Sequence, residues 1–353
     1  MNNDLHIENY QKSPLLVEQH FHGVFGVDFA NCTVEELLSL SKKLLTCGIG
    51  GFFPTLVTDT CENIKKQIEV IKEAKSQQTP DMADILGIHL EGIFINSQKK
   101  GIHDENLFLK PTVENYKKVE DDFIKIVTLA PELDEDNKLQ KYLTMQGVKV
   151  QAGHCVGGDL SYCHGTTHTF NAMASITHRA SSTSLSALLN DNLYSEIIAD
   201  GVHLSEEIIS LIFKTKPKDK IILVSDSLPI AQSNKKEMQF AGQTVYYDGE
   251  KATGKDGTLA GSTAILNKIV KRLAQQNPDD FENIVRCASE NVLKYHDIKL
   301  NGYVWWDEDF NIVAVEKDGV VMQKDFWCYV CNNLIFFVNF FFKKAKIFFF
   351  DVL

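Results

Sequence analysis

The sequence predicts an α/β protein built on a (β/α)8 TIM-like barrel, and three observations carry that reading. Strand-like apolar runs alternate with helical patterns along most of the 353 residues, an order that favours a parallel sheet. Eight such runs lie between Leu15 and Asp226, the number that closes a sheet into a barrel of about 250 residues. Several runs end in histidine or a carboxylate, and barrel strands direct their C-terminal ends at one common face.

Leu15-Leu-Val-Glu-Gln-His20-Phe-His22 is the first run and ends in His-x-His. Thr33 is placed as N-cap of a helix over 34–47, with Leu37, Leu38, Leu40, Leu44 and Leu45 at helical spacing. Strands at 49–57, 84–91 and 123–129 follow, the first two separated by a helix over 61–75. A helix over 134–147, closed by Gly147, leads to the run Val148-Lys-Val-Gln-Ala-Gly-His154. The segment carrying Thr167-His168-Thr-Phe-Asn-Ala-Met173 comes next, then a strand at 195–200, a helix over 205–216 and the run Ile221-Ile-Leu-Val-Ser-Asp226. Short alternating segments over 238–258, with turns at Asp248-Gly249 and Asp256-Gly257, predict a hairpin-bearing loop beside the barrel mouth. Helices over 263–276 and 281–295 follow, and 302–307 with 311–316 read as a terminal hairpin outside the barrel.

Composition narrows the function classes. A net charge of −11 argues against a nucleic-acid groove. The start, Met1-Asn-Asn-Asp, lacks the basic and apolar run of a signal peptide. Eight cysteines are scattered without a disulfide framework, which fits a reducing cytoplasm. Cys328 and Cys331 form the one CxxC, which without a second pair is weak evidence for metal. Nine of the 22 phenylalanines fall in the last 28 residues. The apolar run 334–342 is far shorter than the roughly 20 residues a membrane span requires. That tail reads as a non-native segment in preference to a surface anchor.

Glu91, His154, His168 and Asp226 stand at four strand ends and point to a metal site, with His20 and His22 at a fifth. Imidazole nitrogens with a carboxylate suit a borderline divalent cation such as zinc or ferrous iron.

Ordered motifs then identify a relative. They are His20-Phe-His22-Gly with Gly26-Val-Asp28-Phe, His89-Leu-Glu91-Gly, Lys99-Lys-Gly101-Ile-His103, Gly153-His154 and Thr167-His168-Thr-Phe-Asn171-Ala-Met173. His178-Arg179, Ile198-Ala-Asp200-Gly-Val-His203, Val224-Ser-Asp226, Asp256-Gly-Thr-Leu-Ala-Gly261 and Ala288-Ser-Glu-Asn291 continue the series. From about Pro14 to Val321 the chain resembles the N-acetylglucosamine-6-phosphate deacetylases of the amidohydrolase superfamily. The resemblance implies a barrel of the metal-dependent hydrolase type with a reduced small β appendage. It divides the chain into an appendage remnant over 1–13, the catalytic barrel over 14–297, a C-terminal hairpin of the appendage over 298–323 and an atypical tail over 324–353.

The resemblance also implies hydrolysis of an amino-sugar phosphate to the free amine and acetate by a homodimer, with one or two divalent cations per subunit. Glu91, His154 and His168 would bind the common metal, while His20 and His22 permit a second without requiring it. Asp226 would be general base and acid, with a further ligand or helix cap as its plainer roles, and His103 would polarise the acetyl carbonyl. Asn171, Ala172 and Arg179 would hold the phosphate, the arginine reaching a neighbouring subunit. His203 would contact the sugar hydroxyls or the phosphate, and Leu259 and Ala260 would lie close to the sugar. Two departures stand out: the family's Arg-Glu-Pro-Gly appears as Arg179-Ala-Ser-Ser182, and few residues precede Pro14. Rival readings are another N-acetylated sugar phosphate or cyclic amide as substrate, and a degenerate sugar-phosphate-binding protein.

Overall fold

The computed structural model describes residues 10–323. Its centre is a parallel sheet whose strands stand side by side in chain order. They are Leu16–Phe21, Ile49–Leu56, Ile88–Glu91, Ile124–Leu129, Lys149–Ala152, Gly165–Thr166, Tyr194–Ile197 and Ile221–Leu223. Around the seam the backbone pairs beyond the strand ends. Asp226 N–H donates to the His20 carbonyl at 2.9 Å and His22 N–H to the Ser227 carbonyl at 2.8 Å. Below them the buried Glu18 carboxylate accepts the Ser225 N–H at 3.1 Å, so a side chain bridges the place where the ladder is open. The barrel is nearly closed, as the alternation of elements predicts.

Local chemistry accounts for the outer helices. Val34–Thr46 opens with a capping box, Thr33 Oγ1 accepting from Glu36 N–H and the Glu36 carboxylate from Thr33 N–H. Leu37, Leu40, Leu44 and Leu45 form its buried stripe. The helix expected over 134–147 is shorter, Lys138–Met145. Asp136 and Asn137 are left-handed, and the Asp134 carboxylate caps the N–H groups of Leu139 and Gln140. The helix expected over 281–295 is two, Phe281–Cys287 and Glu290–His296. Between them the Ala288 carbonyl turns away to accept Val17 N–H at 2.8 Å, fastening the break to the first barrel strand.

The expected hairpin near the C-terminus is part of a larger antiparallel sheet. Gly302–Trp306 lies between Gln11–Pro14 and Ile312–Lys317, with Val320–Gln323 outermost. This sheet packs against the N-terminal ends of the first two barrel strands, away from the mouth; a Cβ on Gly48 would strike Ile312 and Val304. Trp306 anchors it: the indole N–H donates to Ser13 Oγ at 2.8 Å and the ring meets Phe281 edge-on at 5.7 Å. Trp306→Ala should lower stability by about 3–5 kcal/mol, the usual cost of emptying such a site. Denaturant unfolding measures the loss. Because Trp306 lies far from the mouth, kcat of the folded fraction should stay near normal.

After the eighth barrel strand the expected hairpin loop is a second antiparallel sheet, Glu237–Phe240, Gln243–Tyr247, Ala252–Thr253 and Leu259–Gly261. Phe240, Val245 and Ala252 pack on Ile102, Leu228 and Ile230, and Gln243 Nε2 donates to the Ile102 carbonyl at 2.8 Å. The sheet is thereby fixed over the barrel mouth. Residues 1–9 of the predicted N-terminal remnant, the 324–353 tail and the Cys328, Cys331 pair lie outside the described residues.

Candidate metal centre

Strand ends and the turns after them bring the predicted ligands to one place. Glu91 closes the third barrel strand, His154 and His168 follow the fifth and sixth, Asp226 follows the eighth, and His20 lies at the end of the first. His154, His168 and Asp226 have φ of 48°, 29° and 49°. Non-glycine residues adopt that region at a cost, and such strain collects at functional sites.

Glu91 is 1% exposed, and four imidazoles come within 3.3 Å of its carboxylate oxygens. Its Oε1 lies 3.3 Å from His154 Nε2 and 3.0 Å from His168 Nε2, and those two nitrogens are 3.0 Å apart. Ligand atoms about 2.0–2.2 Å from one zinc ion would be separated by roughly such distances. Its Oε2 lies 3.3 Å from His20 Nε2 and 3.0 Å from His22 Nε2. Asp226 Oδ1 completes that half, 3.5 and 3.4 Å from the same two nitrogens. One carboxylate is therefore divided between two pairs of imidazoles.

Neighbouring acceptors set the ring tautomers. His154 Nδ1 is 2.7 Å from the Lys99 carbonyl, His22 Nδ1 is 3.3 Å from the Thr55 carbonyl, and His20 Nδ1 is 3.0 Å from Glu196 Oε2. Each acceptor receives a hydrogen bond from the Nδ1–H and leaves the Nε2 lone pair facing Glu91, as metal-binding histidines require. His20 Nε2 is buried without a hydrogen-bond partner, and such orphans call for an explanation. A cation supplies one. Burial opposes charge on His20, yet Glu91, Asp226 and Glu196 outweigh it and raise its pKa well above the ordinary value. Burial likewise raises Glu91, and His20, His154 and His168 reverse this to hold it well below the carboxylate range. The pocket thus favours positive charge at a spot framed by bare nitrogens and carboxylate oxygens, and the donor set fits a divalent ion.

Beside the centre is a cavity of about 530 Å³. His103, Asn171, Ala172, His203, Leu259 and Ala260, all predicted from sequence, line it. His103 Nδ1 is 2.7 Å from Thr58 Oγ1 and its Nε2 is 3.8 Å from Glu91 Oε2; burial pulls its pKa down to about 3, so the ring is neutral. His203 Nδ1 is 2.9 Å from Asp200 Oδ2, which also accepts from Ser262 Oγ at 2.8 Å. Despite burial, His203 holds the Asp200 pKa down to about 2. The Asn171 side-chain nitrogen is buried with no partner.

Arg179 is not brought to this cavity. It is exposed on the loop after Met173, outside the lining of its own chain. Residues not singled out from sequence also shape the site. Lys99 and Lys100 line it, the Phe240 ring packs 5.3 Å from that of His22, and Thr55, Thr58 and Glu196 orient the histidines. The Lys99-Lys-Gly101 motif was a signal for the lysines, and a glutamate inside the apolar strand Tyr194–Ile197 was one for Glu196.

No protein-family model matches the chain. An N-acetylglucosamine-6-phosphate deacetylase of Bacillus subtilis is 30% identical over 339 residues, 92% of this chain and 84% of that protein. The chain belongs to the N-acetylglucosamine-6-phosphate deacetylase family. A deacetylase of the same name from Mus musculus is 30% identical over 308 residues, covering 78% of this chain and 72% of that one. An N-acetylgalactosamine-6-phosphate deacetylase of Escherichia coli O157:H7 is 27% identical over 277 residues, 74% of this chain and 72% of its own. The crystal structure of N-acetylglucosamine-6-phosphate deacetylase from Thermotoga maritima superimposes with a TM-score of 0.81 at 27% identity, covering 89% of each chain. The deacetylase fold and the His/Glu groups able to hold a metal therefore occur together in this chain. Among the described residues no helix is long and apolar enough to cross a membrane.

Proposed function

We propose that this deacetylase-family chain hydrolyses the acetamide of N-acetylglucosamine 6-phosphate, giving glucosamine 6-phosphate and acetate. The observation that carries the reading is the Glu91 carboxylate divided between His154, His168 and His20, His22 beside a substrate-sized cavity. Glu91, His154 and His168 would hold one zinc or ferrous ion, and His20 and His22 with the other Glu91 oxygen a second. Such a cation supplies Lewis acidity, easing the ionisation of water and polarising an acyl oxygen.

The chain's own groups do the rest. Asp226 Oδ1 faces the His20 and His22 nitrogens, where it takes a proton from the attacking water and returns it to the departing amine. With Thr58 Oγ–H donating to Nδ1, His103 carries its proton on Nε2 and donates to the acetyl oxygen as negative charge develops. Asn171 offers an unpaired amide N–H to the phosphate, and Lys99 and Lys100 add positive charge at the cavity wall. His203, Leu259 and Ala260 contact the sugar. Arg179, exposed and outside its own cavity, serves the site of a second copy, so we read the enzyme as a homodimer whose mass in solution is twice 39.8 kDa. The antiparallel sheet at the barrel's N-terminal end is the reduced β appendage of the 14–297 catalytic barrel. Free cysteines at six described positions suit a cytoplasmic enzyme.

The Escherichia coli relative favours a second substrate, N-acetylgalactosamine 6-phosphate, which differs at one hydroxyl. The deciding assay is acetate release from both sugar phosphates and from N-acetylglucosamine itself, using protein loaded with zinc or ferrous iron. We expect turnover that depends on the phosphate and vanishes on chelation. Stoichiometric bound metal with no acetate from either phosphate would overturn the reading, and faster galactosamine turnover would shift it to the epimer.

A further inference from the structure

Beneath the candidate centre, on the barrel-interior side, lies a second carboxylate. Glu196 sits in the seventh barrel strand and is 1% exposed. Its Oε2 faces His20 Nδ1 at 3.0 Å and accepts the backbone N–H of His168 at 3.2 Å. Its own carbonyl accepts the N–H of Thr169 at 2.8 Å. One residue therefore grips a ligand from each half of the centre, including the left-handed turn that presents His168.

The other contacts of the carboxylate are neutral. Gln19 Nε2 donates to Oε1 at 2.6 Å, and Gln19 Oε1 in turn faces His296 Nε2 at 3.1 Å. The His89 ring packs edge-on against His20 at 4.6 Å, but His89 is engaged by Thr128 Oγ1 at 2.8 Å. A buried carboxylate without a compensating charge is costly. The available route for compensation runs through the His20 ring, whose far nitrogen is the unpartnered Nε2 facing Glu91.

We propose that Glu196 is the positioning residue that prepares the His20–His22 half of the centre for a second divalent cation. By accepting the hydrogen bond of the Nδ1–H it fixes the tautomer that ligates through Nε2, makes that nitrogen a stronger donor and places a negative charge behind it. The proposal rests on the two-cation reading above.

The test is a titration of the full chain with zinc alone, following bound zinc per chain and the metal-induced rise in Tm. Wild type should bind two ions. In Glu196→Gln the first should be retained and the second weakened about 10–100-fold, the range for losing an orienting partner. A merely structural role would lower Tm with and without zinc alike and leave stoichiometry and the zinc-induced shift unchanged; that result overturns the proposal. One ion in wild type overturns the two-cation reading and this inference with it, whereas two ions bound equally well in both proteins overturns this inference alone. Should Glu196→Gln not fold, the combined His20→Asn, Glu196→Gln chain carries the test. It should bind zinc no more weakly than His20→Asn alone, and a further loss would count against the proposal.

Discussion

Asp226→Asn should lower kcat by about 10²–10⁴-fold, the contribution of a well-placed general acid–base group, while the chain keeps its metal. The substitution preserves shape. Asp226 N–H donates to the His20 carbonyl and the Asp226 carbonyl accepts Ser262 N–H at 2.9 Å, and both backbone bonds survive in asparagine. What is lost is a charged oxygen that can take and return a proton. His154, His168 and Glu91 Oε1 lie in the other half of the centre and keep their geometry. The measurement pairs steady-state acetate release with elemental analysis of the same sample. Near-normal turnover would remove Asp226 from proton transfer. Loss of metal in step with activity would assign it a ligand role instead.

Glu91→Gln should fail in the opposite manner, losing metal first and activity as a consequence. The carboxylate serves both imidazole pairs, so its neutral isostere weakens both halves at once. Removing one partner from a buried charge contact costs about 3–5 kcal/mol, which corresponds to a metal affinity reduced on the order of 10²–10⁴-fold. Raising the zinc concentration should restore part of the activity of Glu91→Gln and none of that of Asp226→Asn. A titration in which Glu91→Gln binds zinc as tightly as wild type would show that Glu91 is not a ligand.

The contrast between these variants could be designed largely from sequence. Glu91, His154, His168 and Asp226 are adjacent to strands whose apolar runs are local and legible, and a parallel barrel has one mouth. The helix over 34–46 was legible for the same reason, since its cap and stripe are set by residues within one or two turns. Errors arose where distant contacts decided a local matter. The break after Cys287 depends on Val17, some 270 residues earlier in the chain, drawing the Ala288 carbonyl away. The two-strand reading near the C-terminus lacked the outer strand Val320–Gln323, and the pairing of Gln11–Pro14 with Gly302–Trp306 is one that no short-range pattern encodes; only the family resemblance put those two segments in one appendage.

The sequence by itself determined the strand order, the kinds of ligand and the strand ends that carry them, because periodicity and donor chemistry are properties of neighbouring residues. Tertiary structure decided how those donors are shared. That one Glu91 oxygen faces His154 and His168 and the other faces His20 and His22 follows from barrel closure, which sets strands 77 residues apart in sequence within a hydrogen bond's length. That Glu196 stands behind His20 across 176 residues, while Arg179 lies outside the lining of its own cavity, has the same origin. Side-chain direction across a closed sheet is set by pairing register and by the turns after each strand, and those depend on the whole barrel at once.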